Sequence, residues 1–326
     1  MVALAPTDRD DQGMIMRRRW TEYLRTALVS APGTALAALI GITGIGLLSA
    51  PDPAAAAPAT HPYYLSLGDS YAIGYQPGKG GTAGFTGYVA DHLGLHQENF
   101  GCGGATTTSL LQSPGCVDPA SQDAVPYTGI TQEQAALAFI AAHPESVRLI
   151  TVSIGGNDFD SCSSAPCVEA AMPAMGANLK SLLGSLTAAL AKASDTHATI
   201  IGITYPDVDL GLYVYPTHPA SAADVALAKT SILAFDALIN PTLRSAYQSV
   251  AGAHFVDVTS APYGEAVHGD DTPLTRTEVV APYGRLPVAV GEICQLTYFC
   301  TQGNIHAHTS GYDFIGSLVV AQYRGH

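Results

Sequence analysis

The chain has 326 residues, of which 47% are hydrophobic and only 13% are charged, and its formal net charge is −13. The hydrophobic fraction is ample for a packed core, which excludes an intrinsically disordered protein. The acidic balance and the lack of a basic stripe along the main part of the chain exclude a nucleic-acid-binding protein.

The N-terminal region (residues 1–59) has the composition of an export signal. Three consecutive arginines (residues 17–19) precede an apolar run over residues 27–50, and alanine-rich sequence follows. A basic segment, an apolar segment and small residues at the exit are typical of a secretory signal peptide. We therefore expect cleavage near residues 55–59, a secreted protein, and a single domain over residues 60–326. Because the apolar run is long, an uncleaved membrane anchor is the alternative.

Five short segments after this region predict β-strands, and four of them are apolar runs bounded by glycine, proline or polar residues. The predicted strands cover residues 63–67, a weaker stretch ending at Asn99-Phe100, and residues 147–154, 199–204 and 254–258.

Helix candidates lie between these strands and after the last one, over residues 87–93, 131–142, 167–193, 222–239 and 310–323. Strands that alternate with helices predict βαβ units and a parallel sheet with helices on both faces. Segments 205–220 and 259–303 are rich in Pro, Gly, Tyr and Thr, and we expect them to be loops. Loops of this length are expected to line a site at the C-terminal ends of the strands.

Six cysteines follow the N-terminal region. They are Cys102, Cys116, Cys162, Cys167, Cys294 and Cys300. An even number behind an export signal indicates disulfide bonds, and the absence of a Cys-x-x-Cys pair makes metal ligation the weaker interpretation. Many connectivities are open, and pairing of sequence neighbours is the simplest hypothesis.

Four motifs carry residues suited to nucleophilic catalysis. They are Gly68-Asp69-Ser70, the glycine-rich block 99–107, Gly155-Gly156-Asn157-Asp158 and Asn304-Ile305-His306. The first three follow predicted strands, and the fourth precedes the last helix. Together they offer a nucleophile, backbone and amide oxyanion donors, and a general base, which are the requirements of acyl transfer through a serine ester. Each motif alone is typical of a turn or a helix cap.

In this order, the four motifs resemble the SGNH (GDSL) hydrolase family, especially its secreted actinobacterial-type members. The resemblance implies a three-layer α/β/α, flavodoxin-like sandwich with a five-stranded parallel sheet. It implies Ser70 as nucleophile and His306 as general base. The oxyanion hole would be formed by the N–H groups of Ser70 and Gly104 and the side chain of Asn157. No metal or organic cofactor is implied.

One position departs from the family pattern, in which an aspartate usually stands two or three residues before the histidine. Here those positions hold Asn304 and Gly303. An asparagine can accept a hydrogen bond but offers no negative charge to an imidazolium. We expect a Ser–His dyad whose ring is oriented by Asn304 or by a backbone carbonyl in the loop 294–304. A weak or inactive family member is the alternative.

Two other chemistries are weaker interpretations of the same motifs. Asp69 and Asp158 could form a carboxylate pair for glycoside hydrolysis, but the adjacent serine and asparagine already explain those motifs. His306 and His308 could bind a metal, but no convincing third ligand is near in sequence. Among the aromatic residues, those closest to the candidate nucleophile, Tyr71 and Tyr75, are expected to contact substrate.

The sequence therefore predicts a secreted carboxylic-ester hydrolase, an esterase or lipase, acting on a small-molecule or lipid ester. Phospholipase, lysophospholipase or acyltransferase activity is the alternative within enzymes. The alternative outside enzymes is a binding protein that kept the fold and lost turnover. We expect a monomer with no obligate protein partner and no nucleic-acid partner, and disulfides that stabilise the loops around the site.

Overall fold

The computed structural model describes residues 62–116, 124–162, 164–260 and 272–325. The predicted signal peptide and its cleavage region lie outside the described residues. Within the described segments, every helix is too short or too polar to cross a lipid bilayer.

Five parallel strands form the central sheet. They are β1 (Tyr63–Gly68), β2 (His96–Asn99), β3 (Val147–Ser153), β4 (Thr199–Ile203) and β5 (Ala253–Val256). Their order is β2-β1-β3-β4-β5, and every neighbouring pair is parallel. The five predicted strands are therefore confirmed. Strands β1 and β3 are buried almost throughout, as expected for central strands of a parallel sheet covered on both faces.

Helices cover both faces of this sheet. They are α1 (Gly84–Leu93), α2 (Thr107–Gln112), α3 (Gln132–Ala142), α4 (Gly156–Phe159), α5 (Ala165–Lys192), α6 (Ala222–Ala234), α7 (Asn240–Gln248), α8 (Thr272–Thr275), α9 (Val288–Leu296), α10 (Phe299–Gln302) and α11 (Thr309–Arg324). One hydrophobic cluster joins alternate strand residues to α3, α5 and α7, and a second joins the others to α1 and α11. This arrangement is the predicted three-layer α/β/α sandwich.

Regular structure occupies parts of the two segments that were predicted to be loops, so that prediction was wrong. Residues 205–220 include a 3₁₀ helix (Val208–Tyr213). Residues 259–303 include α8, an antiparallel hairpin of β6 (Thr277–Val280) and β7 (Gly284–Pro287), and then α9 and α10. These elements are too short to show a clear sequence period, and their apolar side chains form a third hydrophobic cluster.

The α-helix predicted over residues 222–239 ends early, at Ala234, and helical structure continues past the predicted end at residue 239. Helix α6 ends at Ala234, one π-helical turn covers Phe235–Ile239, and α7 begins at Asn240 with Pro241 in its first turn. Proline is tolerated there because its missing N–H is not needed in the first turn of a helix. The π-helical turn contributes to the cavity of the candidate site.

The order of the strands determines where a site can form. The chain leaves β1 to one side to form β2, and it then crosses to form β3 on the other side of β1. In open α/β sheets, ligands bind in the crevice outside the carboxyl ends of the strands at such a switch point. Ser70 follows β1 and Asn157 follows β3, so both residues lie at this crevice.

Candidate active site

Ser70 lies in a compact turn directly after β1. The Tyr75 N–H donates to the Ser70 carbonyl at 2.9 Å and closes the turn. Gly68 enters the turn with a φ of 144°, and a Cβ atom there would lie 2.0 Å from the Ser153 carbonyl oxygen on β3. Only glycine permits this approach of the two strands, so the glycine of the first motif is required by the backbone geometry.

Gln132, at the start of α3, holds the end of β1 from the side. Its Oε1 accepts from the Gly68 N–H at 2.7 Å, and its Nε2 donates to the Gly68 carbonyl at 3.0 Å. The glutamine is 2% exposed, so the contact is protected from water. Sequence analysis missed this residue, because a single glutamine beside an apolar helix face carries no local signal of its partner.

Asp69 is buried between the ends of β1 and β3 and joins them. Its Oδ1 accepts from the Tyr71 N–H at 2.9 Å, and its Oδ2 accepts from the Tyr205 hydroxyl at 2.5 Å and from Asn157 Nδ2 at 3.3 Å. Burial raises the pKa of Asp69 to about 7, although the hydrogen bond from Tyr205 limits the rise. These contacts make Asp69 a brace of the turn that carries Ser70.

Asp158 also has a structural partner. Its carboxylate accepts from the Thr107 N–H at 2.8 Å and from the Thr107 hydroxyl at 2.5 Å. Asn178 of α5 donates to the same hydroxyl at 3.1 Å. The contacts attach the start of α2 to the turn after β3, and they account for Asp158 without a catalytic carboxylate pair.

The glycine-rich block forms a β-turn in which Gly104 has a φ of 71°, a conformation that glycine adopts without strain. The Ala105 N–H donates to the Cys102 carbonyl at 3.1 Å across this turn. The Cys102 N–H donates to the Gly68 carbonyl at 3.0 Å, and Asn157 Nδ2 donates to the Ala105 carbonyl at 2.8 Å. The turn is therefore attached both to the end of β1 and to Asn157.

His306 lies in the loop between α10 and α11, and Asn304 orients its ring. The Asn304 Oδ1 lies 2.9 Å from His306 Nδ1 and accepts from the His306 backbone N–H at 3.1 Å. Because the backbone N–H of His306 can only donate, the Asn304 atom that it contacts must be the amide oxygen. The oxygen, and not the nitrogen, therefore faces the ring. Because an amide oxygen only accepts, the contact assigns the ring proton to Nδ1 and leaves a lone pair on Nε2.

The second ring nitrogen of His306 is poised to accept a proton. Nε2 is buried and has no hydrogen-bond partner in the described part of the chain, and a direct bond to Ser70 Oγ is therefore not formed. Such contacts often tighten only when substrate binds. Burial lowers the pKa of His306 to about 4, so the ring is neutral at neutral pH.

The histidine ring packs against the turn that carries Ser70. The ring of Tyr71 stacks on it at a centroid distance of 5.8 Å, and the ring of Tyr75 lies at 4.6 Å. The Tyr71 hydroxyl donates to the Ile305 carbonyl at 2.6 Å, although the two residues are 234 positions apart. The structure thus brings the first and last sequence motifs together.

All six cysteines form disulfide bonds, and the neighbour-pairing hypothesis is confirmed. The bonds are Cys102–Cys116, Cys162–Cys167 and Cys294–Cys300. The first lies in the glycine-rich block, the second joins the region after α4 to α5, and the third joins α9 to α10 just before the histidine loop. Each side of the site therefore contains a covalent crosslink.

His308 has other partners than a metal ion. Its Nδ1 lies 3.1 Å from the Gln295 carbonyl oxygen, and its ring packs edge-on against Tyr298. Across the segments that the structure covers, no group of three or more His, Cys, Asp or Glu side chains is arranged to hold a metal ion.

A cavity of about 260 Å³ lies beside Ser70. Ser70, Tyr71 and Asn157 line it, whereas Gly104 and Tyr75 do not. Its apolar lining residues include Phe159, Val168, Leu227, Phe235 and Ile239. Three aspartates that sequence analysis did not single out also line it: Asp160, Asp207 and Asp209. The cavity can hold part of a substrate next to the candidate nucleophile.

Comparison with known proteins gives a match to the model of the GDSL-like lipase/acylhydrolase family over residues 66–312, which include all four motifs. Comparison with curated proteins gives no match. One similar solved structure is the lipase Lip_vut3 from a goat rumen metagenome, with 14% identity, a TM-score of 0.45, and coverage of 80% of this chain and 96% of that chain. Another is Axe2, an acetylxylan esterase from Geobacillus stearothermophilus, with 15% identity, a TM-score of 0.42, and coverage of 80% and 94%.

Proposed function

This chain belongs to the GDSL-like lipase/acylhydrolase family and hydrolyses ester bonds, and we propose that it is a secreted serine esterase or lipase with Ser70 as nucleophile and His306 as general base. The observation that carries the proposal is the state of the histidine ring. Asn304 engages its Nδ1, its Nε2 is buried without a partner, and the ring packs on the turn that contains Ser70.

The first half of the reaction acylates Ser70. The Oγ atom attacks the ester carbonyl carbon while His306 Nε2 takes the hydroxyl proton, and the carbonyl electron pair moves onto oxygen. The N–H groups of Ser70 and Gly104 and the side chain of Asn157 receive this oxyanion. Asn157 donates to Ala105 at 2.8 Å and to Asp69 at 3.3 Å, so both contacts position its amide, and the hydrogen of the longer contact can be shared with the oxyanion.

The second half releases both products. The imidazolium gives its Nε2 proton to the leaving alcohol as the bond between carbon and alcohol oxygen breaks. Water then loses a proton to Nε2 and attacks the acyl-enzyme, and Ser70 recovers its proton when the acid departs. Asn304 keeps the ring in the required tautomer but contributes no charge, so we expect a slower enzyme than one with a carboxylate there.

The proposal is tested by hydrolysis of p-nitrophenyl acetate and butyrate. Replacing Ser70 or His306 by alanine should lower kcat by about 10⁴-fold or more, because either change removes the dyad. Ser245→Ala, a change at an exposed serine on α7, is the matched control and should retain activity. Turnover that survives Ser70→Ala in a folded protein would assign the nucleophile elsewhere.

Secretion rests on the export signal and on the three disulfide bonds, which are typical of extracellular proteins. N-terminal sequencing of the protein recovered from the culture medium of a producing bacterium should locate the cleavage near residues 55–59. Recovery of the uncleaved chain in the membrane fraction would instead support the anchor.

A further inference from the structure

The cavity beside Ser70 contains a buried carboxylate with an unused oxygen. Asp207 is 3% exposed, and its Oδ2 accepts from the Ser231 hydroxyl at 2.9 Å. Its Oδ1 has no hydrogen-bond partner among the described residues. An unpartnered buried acceptor costs about 1–3 kcal/mol, and more when it is charged. A ligand group that donates to this oxygen would remove that cost.

The surroundings of Asp207 favour a positively charged ligand. Asp209 and the exposed Asp160 line the same cavity, and its described lining residues include no lysine or arginine. Burial and the neighbouring charge of Asp209 raise the pKa of Asp207 to about 8, so the group is mainly protonated at pH 7, and a cation beside it would favour its ionised form. A cation in the cavity would be attracted by Asp160 and Asp209, and also by Asp207 once that group is ionised.

The rest of the lining favours an organic cation over a metal ion. The rings of Phe159, Tyr205 and Phe235 line the cavity, and aromatic faces attract ammonium groups. Within the described segments, the carboxylates are not clustered in a way that would hold a metal ion. Apolar walls with a carboxylate are suited to an alkyl-substituted or alkyl-linked ammonium group.

We propose that this cavity selects esters that carry an ammonium group, with Asp207 Oδ1 as its principal partner and Asp209 and Asp160 adding long-range attraction. The inference rests on the proposed function, because it names the part of the substrate that lies next to Ser70. Asp207 is thereby assigned to substrate specificity, a role that neither the family match nor the Ser–His chemistry requires.

Two pairs of esters test the proposal, and the members of each pair differ in charge at nearly constant shape. The first pair is acetylcholine and its isostere with carbon in place of the quaternary nitrogen, which places the charge on the alcohol. The second pair is the p-nitrophenyl esters of 6-aminohexanoic acid and heptanoic acid. In this pair the positive charge lies on the acyl group. At about pH 9, where Asp207 is ionised, kcat/KM in one pair should favour the cation by roughly tenfold to hundredfold. The ammonium of the aminohexanoyl ester can donate to Asp207 Oδ1, whereas the quaternary ammonium of acetylcholine has no N–H and gains only the charge attraction.

Three variants locate the origin of the preference. Asp207→Asn should bring the ratio of kcat/KM values close to one, because it removes the charge and keeps the side-chain shape. Asp160→Asn changes an exposed residue, so folding should be retained, and it should lower the ratio by a few-fold. Asp91→Asn removes an equal charge from the exposed side of α1 and should leave the ratio unchanged.

Calorimetric titration with choline and with its uncharged carbon isostere gives a second readout that needs no turnover. At about pH 9, choline should bind the wild-type protein more tightly than the isostere, and Asp207→Asn should abolish the difference. Wild-type protein that hydrolyses both members of each pair equally and binds both alcohols equally would overturn the inference and leave ester hydrolysis intact. If no ester is hydrolysed but choline binding depends on Asp207, the ammonium site at Asp207 stands and the proposed function fails.

Discussion

The two sides of the candidate site are built by different means. On the nucleophile side, Ser70 and Asn157 follow hydrogen-bonded strands at the centre of the sheet, and the buried carboxylate of Asp69 connects them. On the histidine side, His306 lies in a loop between two helices and is positioned by side-chain contacts with Asn304 and Tyr71. The sheet thus determines one half of the geometry, and tertiary packing determines the other.

The two sides also differ in electrostatics. Asp69 is a carboxylate that accepts three hydrogen bonds on the nucleophile side, whereas Asn304 is a neutral amide on the side where an imidazolium must form. The comparison indicates that loss of the Asp69 acceptor oxygens should harm the nucleophile side, and that gain of charge at position 304 should help the histidine side. Variants at these positions test the contrast.

The largest effect is expected from Asp69→Asn on the nucleophile side. An asparagine cannot accept from Tyr71, Tyr205 and Asn157 in the same way, so the oxyanion donor Asn157 loses its position and kcat should fall by about 10²-fold. The measurement is kcat and KM on p-nitrophenyl butyrate, together with the thermal unfolding midpoint.

Asp158→Asn is the matched control for this change. Asp158 holds the start of α2, so its loss should lower stability by about 1 kcal/mol and leave kcat nearly unchanged. An equal loss of kcat in both variants would show that Asp69 acts through general stability of this region and not through the positioning of Asn157.

On the histidine side, Asn304→Asp should raise activity. A carboxylate beside His306 stabilises the imidazolium and raises its pKa from about 4, so the acidic limb of kcat/KM should move to higher pH. At neutral pH, kcat should increase by about tenfold, because one pKa unit corresponds to about 1.4 kcal/mol. The pH profiles of both proteins provide the measurement, and Asn304→Ala, which loses the acceptor, should be less active than either. An acidic limb that stays in place would mean that position 304 does not face the ring during turnover.

The smallest effect is expected from removal of one disulfide on each side. The bonds Cys294–Cys300 and Cys162–Cys167 span 6 and 5 positions, so their loss should change stability by similar amounts. Replacing the first pair by alanine should lower kcat a few-fold, since it loosens the histidine loop. Replacing the second should mainly change KM, because Cys162 lines the cavity.

Steady-state kinetics well below the unfolding midpoint separate these outcomes. If both disulfide variants show the same changes in kcat and KM, in proportion to their loss of stability, then the two disulfides do not act separately on the histidine loop and the cavity.

The predictable parts of the molecule are those in which a local pattern is sufficient. Four of the five strands are short apolar runs bounded by turn or polar residues, the polar β2 was predicted only as a weaker stretch, and all five are present. The interpretation failed in residues 205–220 and 259–303, where short elements lack a period, and at residue 239, where a π-helical turn carries the helical path past the predicted end of the helix. Gln132 and Asp207 were not identified because nothing near them in sequence indicates their partners.

By itself, the sequence determined the alternation of strands and helices, the family, and the motifs that contain Ser70, Asn157 and His306. Tertiary structure alone decided that Asn304 faces the imidazole, that Gln132 holds Gly68, and that one oxygen of the buried Asp207 lacks a hydrogen-bond partner among the described residues. The physical reason is the distance along the sequence over which each kind of interaction acts. Strand and turn preferences act between residues a few positions apart, whereas burial and side-chain pairing depend on segments that only the packed sheet brings together.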